Sequence, residues 1–217
     1  MNKKLVIFDL DGTLADSIES ITYCGNDALF KEGLPSFGHE DYKYFVGDGV
    51  AVLVQRMLEA AGDKEMQHYE AVKKNYETIF KEYCMYQVKP YEGIPELLIE
   101  LKRKGIKTAV LSNKPHLRTI EVIESLFGDT MFDIVRGQME DTPKKPSPDG
   151  VFAIVEQADC TMEEVLYLGD TGTDMQTGKS AGAYTLGVLW GFREEAELIE
   201  NGADAIINNP LEALAYL

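Results

Sequence analysis

Short apolar runs recur along this chain without the alternation of a half-buried strand. They are LVIF at 5–8, TAVLS at 108–112, VLYLG at 165–169, YTLGVLW at 184–190 and DAIIN at 204–208. Continuous apolar runs of strand length are typical of strands that are covered on both faces, as in parallel sheets. The pattern therefore predicts a parallel sheet with helices on its faces.

Helical periodicity appears between these runs. One stripe with i, i+3, i+4, i+7 spacing consists of Ile94, Leu97, Leu98 and Leu101. A second helix is predicted in SPDGVFAIVEQA, with Ser147 as its N-cap and Pro148 at its first position. Its buried face would consist of Val151, Phe152, Val155 and Ala158. Alternation of strands and helices indicates an α/β fold with a doubly wound, parallel, Rossmann-like sheet.

Residues 16–86 interrupt this alternation, because they contain no convincing strand. One amphipathic stripe there consists of Val50, Leu53, Val54, Met57, Leu58 and Ala61, and another of Val72, Tyr76, Ile79, Phe80 and Tyr83. A less regular helix is predicted around residues 17–32. A simple connection needs only a few residues. We therefore expect an inserted helical cap domain at 16–86 and an α/β core domain formed by 1–15 and 87–217. A mobile cap is the favoured interpretation, and a rigidly packed bundle is the alternative.

The charge of the chain limits its partners. Aspartate and glutamate number 37 against 21 lysines and arginines, which gives a net charge of −16. Such a surface repels phosphate backbones, so no nucleic-acid partner is expected, and a phosphorylated small molecule would need a local positive site. The start MNKKLVIFDLDG resembles neither a signal peptide nor a membrane span. We expect a cytoplasmic protein without a membrane partner, either a monomer or a homodimer.

Two close carboxylates end the first apolar run. Asp9 and Asp11 are separated only by Leu10, and residues i and i+2 of a strand point to the same side. Two such charges about 4 Å apart repel by roughly 4 kcal/mol at an effective dielectric constant near 20. A cation or a shared proton must therefore offset the repulsion, and both have uses in catalysis. A solvated Asp-Gly turn is the alternative interpretation.

Three more polar clusters follow predicted strands or nearby loops, where open α/β sheets bind ligands. Ser112 and Asn113 end the second run, in a position suited to anion binding or to helix capping. Lys144 and Lys145 precede Pro146 in KKPSPD, and a lysine held in this loop could neutralise a phosphate, with a solvated basic pair as the alternative. The last cluster, in GDTGTD, contains Asp170 and Asp174, which are oxygen donors for a hard cation unless one of them, more readily Asp174, caps the following helix. Lys114 is expected to be a solvated charge.

Together these clusters are more specific than any one of them. The segments FDLDGTLADS, VGDGV, LSNKP, KPSPD and GDTGTDM, in this order, resemble the haloacid dehalogenase-like hydrolase superfamily, in particular its phosphoglycolate phosphatase type with a helical cap. The resemblance covers essentially the whole chain. It implies a Mg²⁺-dependent phosphatase that acts on a small phosphorylated metabolite, with 2-phosphoglycolate as one candidate.

The resemblance also implies a role for each matching residue. Asp9 would be the nucleophile that becomes an aspartyl phosphate, and Asp11 would protonate the leaving oxygen and then activate water. The phosphoryl group would be held by Thr13, Ser112 and Lys145, with Asn113 beside them. Mg²⁺ would be bound by Asp9, the Asp11 carbonyl and Asp170, with Asp174 as a ligand or an outer-shell partner.

The substrate is much less clear from the sequence. Gly47 and Gly49 would allow a cap loop to approach the substrate closely. Lys43 and Arg56 are candidate cations for a substrate carboxylate, and Trp190 is expected to pack at a strand end. Alternatives on the same scaffold are a pyrophosphatase, a nucleotide or sugar phosphatase, and a β-phosphoglucomutase-like transferase. A phospho-accepting regulatory domain is an alternative of a different class.

Overall fold

The computed structural model describes residues 2–140 and 142–217. The chain divides into two compact units. One, the core unit, consists of the residues up to Asp16 together with Pro90–Leu217. The other, the helical unit, consists of Ser17–Lys89 and is inserted between the two parts of the core unit.

The strands of the chain form one large and one small sheet. In chain order they are β1 (Leu5–Phe8), β2 (Ala15–Asp16), β3 (Lys89–Pro90), β4 (Lys107–Pro115), β5 (Ile134–Gln138), β6 (Val165–Gly169), β7 (Tyr184–Val188) and β8 (Ala205–Ile207). The large sheet has the order β5-β4-β1-β6-β7-β8 and is parallel throughout, whereas β2 and β3 form a two-stranded sheet.

The strand order confirms a doubly wound, Rossmann-like sheet. The chain winds outward from β1 through β4 to β5, and then from β6 on the other side of β1 through β7 to β8. The carboxyl ends of β1, β4 and β6 therefore lie next to one another at the point where the winding reverses, which is where such sheets bind ligands. All four residues of β1 are almost completely buried, as its continuous apolar run predicts.

One strand of the large sheet was missing from the sequence interpretation. β5 has the sequence IVRGQ, and only its first and fourth residues, Ile134 and Gly137, are buried. It is an edge strand with polar side chains, so it lacks the continuous apolar run that marks the five predicted strands. Those five correspond to β1, β4, β6, β7 and β8.

The helical unit contains four helices. They are α1 (Ile18–Lys31), α2 (His39–Phe45), α3 (Val50–Ala60) and α4 (Tyr69–Tyr83). The predicted stripes form its core: the buried residues are Leu53, Val54, Met57 and Leu58 in α3 and Val72, Tyr76, Ile79 and Phe80 in α4. α2 was not predicted, because the seven residues HEDYKYF contain one buried position, Tyr42, and are too few to create a periodic signal.

The core unit contains the remaining helices. They are α5 (Ile94–Arg103), α6 (His116–Phe127), α7 (Asp149–Ala158), α8 (Gly172–Ala181) and α9 (Glu195–Glu200), with two 3₁₀ helices at Met162–Glu164 and Pro210–Tyr216. The predicted stripe of α5 is buried as expected. Among the residues that the structure describes, no helix is long and apolar enough to cross a membrane.

The prediction for α7 was wrong in two respects. Its N-cap is Pro148, one residue later than the expected Ser147. Its buried face contains Gly150, Val151, Ile154 and Ala158, whereas Phe152 is 46% exposed. The face is set by Gly150, where an added Cβ would lie 2.6 Å from Cδ1 of Leu111. Val151 and Ala158 are buried as predicted, but the helix also turns Gly150 and Ile154 inward in place of Phe152 and Val155. The sequence pattern did not show this, because a glycine adds nothing to a hydrophobic stripe.

Gly25 of α1 lies in a tightly packed part of the helical unit, and a substitution there tests this packing. An added Cβ there would overlap the hydroxyl of Tyr42 and lie 2.6 Å from its Cε1, and Tyr42 is fully buried. Alanine favours a helix by about 1 kcal/mol over glycine, but overpacking costs about 1–3 kcal/mol. We expect Gly25→Ala to lower the free energy of unfolding in a denaturant titration.

The matched control for this test is Phe30→Ala in the same helix. Phe30 is 75% exposed, so its replacement should change the free energy of unfolding by no more than about 0.5 kcal/mol. If Gly25→Ala is more stable than the wild type, intrinsic helix propensity outweighs packing at this position and the interpretation is wrong.

Candidate active site

Asp9 is the first residue after β1 and stays in register with the neighbouring strand β6. Its backbone N–H donates to the carbonyl of Leu168 at 2.9 Å, and the residue is only 6% exposed. The chain then turns, since the N–H of Ala15 donates to the carbonyl of Leu10 at 2.9 Å. Gly12 has φ +89°, a conformation that a glycine adopts without strain. The turn separates the environment of Asp9 from that of the following residues.

Lys145 is the cation at the centre of the site. Its Nζ lies 2.6 Å from Oδ1 of Asp9 and 2.8 Å from Oδ1 of Asp174, and it donates to the carbonyl of Leu111 at 3.1 Å. The residue is 4% exposed. Three acceptors match the three N–H bonds of an ammonium group. Lys145 therefore joins the carboxyl ends of β1 and β4 to the start of α8.

The backbone of Lys145 is held by the side chain of Asn113 in β4. The amide oxygen of Asn113 accepts from the N–H of Lys145 at 2.9 Å, and its amide nitrogen donates to the carbonyl of Lys145 at 3.2 Å. The neighbouring Ser112 is buried, and its Oγ accepts from the N–H of Lys114 at 3.2 Å. The hydroxyl proton of Ser112 thus remains available to an acceptor.

Asp174 is surrounded by donors from the protein. Its Oδ1 accepts from the hydroxyl of Tyr167 at 3.1 Å as well as from Lys145. Its Oδ2 accepts from the N–H of Thr171 at 3.1 Å and from the hydroxyl of Thr171 at 2.6 Å. Thr171 is the N-cap of α8, and Asp174 completes its capping box. Asp174 therefore orients Lys145 and the first turn of α8.

Asp170 follows β6 directly and is fully buried. Its Oδ1 accepts from the hydroxyl of Thr13 at 3.1 Å, and its Oδ2 accepts from the N–H of Phe192 at 2.8 Å. One oxygen each of Asp9, Asp170 and Asp174 lie within 4.8 Å of one another. The structure thus brings together the carboxylates of three of the four residues that were predicted to surround a metal ion, the fourth being Asp11.

The charge balance of this cluster is visible in the pKa values. Burial, reinforced by Asp174, raises the pKa of Asp9 to about 7, although Lys145 opposes the shift. Burial and the charges of Asp174 and Asp9 also raise the pKa of Asp170 well above its ordinary value. Burial lowers the pKa of Lys145, but the carboxylates of Asp174 and Asp9 outweigh it and leave that pKa well above its ordinary value.

The donor set of the cluster fits a hard divalent cation. Lys145 pairs with Asp9 and Asp174. The hydrogen bonds of Asp170 described above come instead from neutral donors, a hydroxyl and a backbone N–H. The ionised cluster therefore carries excess negative charge in a buried place, where uncompensated charge costs several kcal/mol per ion. Asp9 and Asp170 each have an oxygen in the cluster, and carboxylate oxygens are preferred ligands of Mg²⁺. The four acceptor contacts of Asp174 to protein donors favour an indirect role for that residue.

Lys114 differs from the sequence interpretation, which expected a solvated charge. Its Nζ lies 2.7 Å from both Oδ1 and Oδ2 of Asp11, and the two side chains are only 5% and 12% exposed. The bidentate pair joins the end of β4 to the loop after β1. Asp9 and Asp11 are thus paired with different lysines, which relieves the repulsion that their spacing implies.

The cap-loop glycines lie in the helical unit, between α2 and α3. Gly47 has φ +121° and Gly49 has φ +85°. Arg56 pairs with Asp48 at 2.6 Å and also donates to the carbonyl of Phe45 at 3.2 Å, so it braces this loop. Lys43 pairs with the exposed Glu40 at 2.8 Å.

The chain is similar to known hydrolases over most of its length. The pattern that defines the haloacid dehalogenase-like hydrolases matches residues 6–188, a range that contains Asp9, Lys145 and Asp170. The chain belongs to this family.

Individual relatives of this hydrolase match most of its length. A phosphoglycolate phosphatase of Aquifex aeolicus is 35% identical over 190 residues, which are 87% of this chain and 86% of that protein. One of Pseudomonas savastanoi pv. phaseolicola is 28% identical over 208 residues, which are 95% and 76%. A solved structure from Lactobacillus delbrueckii subsp. bulgaricus has a TM-score of 0.91 at 29% identity and covers 98% of this chain and 97% of its own. Within its family, this hydrolase is a phosphatase.

Sequence reasoning missed several residues of the site. The hydroxyl of Tyr167 in β6 bonds to Asp174, and a tyrosine inside a continuous apolar run was the signal for it, because a buried hydroxyl needs a partner. Trp190 was expected to pack at a strand end, yet its Nε1 donates to the carbonyl of Thr13 at 2.9 Å. The N–H of Phe192 left no signal, since any residue except proline supplies one.

The pair between Lys114 and Asp11 can be tested by a double-mutant cycle. Replacing Lys114 with methionine leaves a nearly buried carboxylate without this cation, a change that costs up to about 3–5 kcal/mol of stability. Adding Asp11→Asn should recover part of the loss, with a coupling energy of about 1–3 kcal/mol in denaturant titrations.

The exposed pair of Lys43 and Glu40 is the matched control, in the variants Lys43→Met and Glu40→Gln. Its coupling energy should not exceed about 0.5 kcal/mol, because solvent screens it. Equal coupling energies for the two pairs would show that burial adds nothing to the pair at the active site.

Proposed function

We propose that this chain is a Mg²⁺-dependent phosphatase that hydrolyses 2-phosphoglycolate through an aspartyl phosphate on Asp9. The observation that carries the proposal is the placement of Asp9, with one oxygen held by Lys145 at 2.6 Å and an oxygen close to those of Asp170 and Asp174. A nucleophile beside fixed positive charge and a metal site is what phosphoryl transfer requires.

Asp9 attacks phosphorus and displaces the alkoxide of the substrate. Its bond to Lys145 fixes the orientation of the carboxylate, and the same ammonium group lies where charge accumulates on the phosphoryl oxygens. Ser112 donates its hydroxyl proton to one of these oxygens. Thr13 donates its hydroxyl proton to Asp170 when no substrate is bound, so this hydroxyl must turn from Asp170 to hold the phosphoryl group. Asn113 acts through its two bonds to the backbone of Lys145.

Asp9, the carbonyl of Asp11 and Asp170 are the proposed ligands of Mg²⁺. When bound, the ion would neutralise carboxylate and phosphoryl charge as a Lewis acid. Asp174 acts as an outer-shell partner, because Tyr167, Thr171 and Lys145 already bond to its oxygens.

Asp11 transfers the protons of the reaction. It protonates the departing oxygen of the substrate, and it later removes a proton from the water that attacks the aspartyl phosphate. Lys114 holds both oxygens of Asp11 when no substrate is bound. The carboxylate must therefore turn away from this lysine and take up a proton from solvent before it can protonate the leaving group. The second step returns Asp9 to its free form and releases inorganic phosphate.

The choice of 2-phosphoglycolate is supported by the names of the two relatives reported above. Its carboxylate requires a cation or N–H donors outside the phosphoryl site. The loop at residues 46–49, with Gly47, Gly49 and the bracing Arg56, is the proposed cap element that meets this end of the substrate. The cap role of the helical unit is part of the proposal.

Replacing the nucleophile tests the mechanism directly. Asp9→Asn removes the attacking charge but keeps the side chain's shape, and Lys145 retains Asp174 as a partner. We expect kcat to fall by at least about 10⁴-fold with the fold intact by circular dichroism. The control Asp149→Asn, at the first residue of α7, should leave kcat within about twofold, since a carboxylate outside the site touches no reacting group. Normal turnover by Asp9→Asn would exclude Asp9 as the nucleophile.

A substrate panel tests both the metal and the substrate. We expect the highest kcat/KM for 2-phosphoglycolate, and at least about tenfold less for ethyl phosphate, which lacks the carboxylate. Activity should vanish after chelation with EDTA and return with Mg²⁺. Preference for pyrophosphate, a nucleotide or a sugar phosphate would replace the proposed substrate. A phosphorylated Asp9 that persists without release of phosphate would instead identify a regulatory domain.

A further inference from the structure

The segment LWGFR at residues 189–193, which follows β7 and is here named the β7 loop, has no role in the proposed chemistry. β7 pairs with β6, whose carboxyl end carries Asp170. The β7 loop therefore begins one strand away from the proposed metal ligand, at the same edge of the sheet. The β7 loop makes specific contacts with Asp170 and with Thr13.

Two residues of the β7 loop belong to the hydrogen-bond network around Asp170. The N–H of Phe192 donates to Oδ2 of Asp170 at 2.8 Å, and the hydroxyl of Thr13 donates to Oδ1 at 3.1 Å. The indole Nε1 of Trp190 donates in turn to the carbonyl of Thr13 at 2.9 Å. Each oxygen of Asp170 is thus held by a donor, and both donors are tied to the β7 loop.

Gly191, between these two residues, packs directly on the site. An added Cβ would overlap Cβ of Asp170 and the carbonyl of Gly12, and would lie 2.6 Å from Cγ of Asp170. Gly191 is not one of the glycines with positive φ. The position therefore requires glycine because space is lacking, and an alanine there would displace Asp170 without straining its own backbone.

The β7 loop is fastened at both ends. The N–H of Leu189 donates to the carbonyl of Ile207 at 3.1 Å, and the buried Arg193 pairs with Glu197 at 3.2 Å. Glu197 also accepts from the N–H of Gly172 at 3.1 Å, in the first turn of α8. Fixed ends prevent the β7 loop from following a displaced carboxylate, so it can act as a rigid support.

We propose that the β7 loop is a positioning element that sets the affinity of the site for Mg²⁺ by fixing Asp170 and Thr13 relative to each other. The inference rests on the metal site of the proposed function. A ligand carboxylate that is already oriented binds a metal more tightly than one that must be ordered on binding, and loss of an outer-shell partner typically costs 10–100-fold in metal affinity. The support couples the metal ligand to the loop that holds the phosphoryl group.

The test measures Mg²⁺ binding to the intact protein by titration calorimetry, with no substrate present. We expect Gly191→Ala to raise the dissociation constant of Mg²⁺ by about 10–100-fold. Trp190→Phe keeps an aromatic ring but removes the indole N–H, and it should raise the constant by about tenfold, as expected for the loss of one net hydrogen bond. Trp190 is the only tryptophan of the chain, so wild-type fluorescence should also change saturably with Mg²⁺.

A control outside the β7 loop separates positioning from general damage. Gly38→Ala adds a methyl group where the nearest atom is 3.7 Å away, and it should leave binding unchanged. Melting temperatures in metal-free buffer should fall by less than about 4 °C for Trp190→Phe.

The outcomes distinguish this inference from the proposed function. If the wild type binds Mg²⁺ and both Gly191→Ala and Trp190→Phe bind it equally well, the β7 loop has no positioning role, whereas the metal site stands. Should Gly191→Ala fail to fold, Trp190→Phe alone decides the same question. A wild-type protein that does not bind Mg²⁺ would overturn the metal site and the inference together.

Discussion

An excess of buried negative charge is the constraint on which the rest of this structure depends. Asp9, Asp170 and Asp174 converge, and the buried ammonium group of Lys145 pairs with Asp9 and Asp174. Removing several charges from water is costly unless each has a partner. Tyr167 and other hydrogen-bond donors offset part of this negative charge. The negative charge that remains makes the cluster suited to a cation and to a phosphoryl group that binds together with it.

The parallel sheet explains how residues from distant parts of the chain meet this constraint. β1 lies in the middle of the sheet between β4 and β6, and the carboxyl ends of these three strands supply Asp9, Ser112 and Asp170. Lys145 enters from a loop that Asn113 ties to β4. Asp9, the proposed nucleophile, is therefore attached to a strand that is buried throughout, and the helical unit is inserted in the chain after this strand.

Much of this arrangement could be predicted from the sequence, because buried parallel strands and amphipathic helices leave strong periodic signals. β1, β4 and β6 and their terminal aspartates and serine were predicted from such signals and from the family resemblance. β5 was missed because an edge strand with Arg136 and Gly137 has no apolar run. Lys114 was misjudged because a lysine pairs according to its three-dimensional neighbours, and its partner Asp11 is 103 residues away in the chain. A periodic pattern of apolar residues gives no information about a contact between residues so far apart in the chain.

The two hydrogen bonds of the Asn113 amide restrict which amino acids can replace it. It both receives a bond from the backbone N–H of Lys145 and gives one to the carbonyl of the same residue, as an adjoining peptide group in a sheet would. Aspartate of equal size would turn an acceptor towards that carbonyl, and leucine would offer neither bond. A side chain that both donates and accepts is needed here, and with it Lys145 is held as rigidly as a residue of a strand, although it lies outside the sheet.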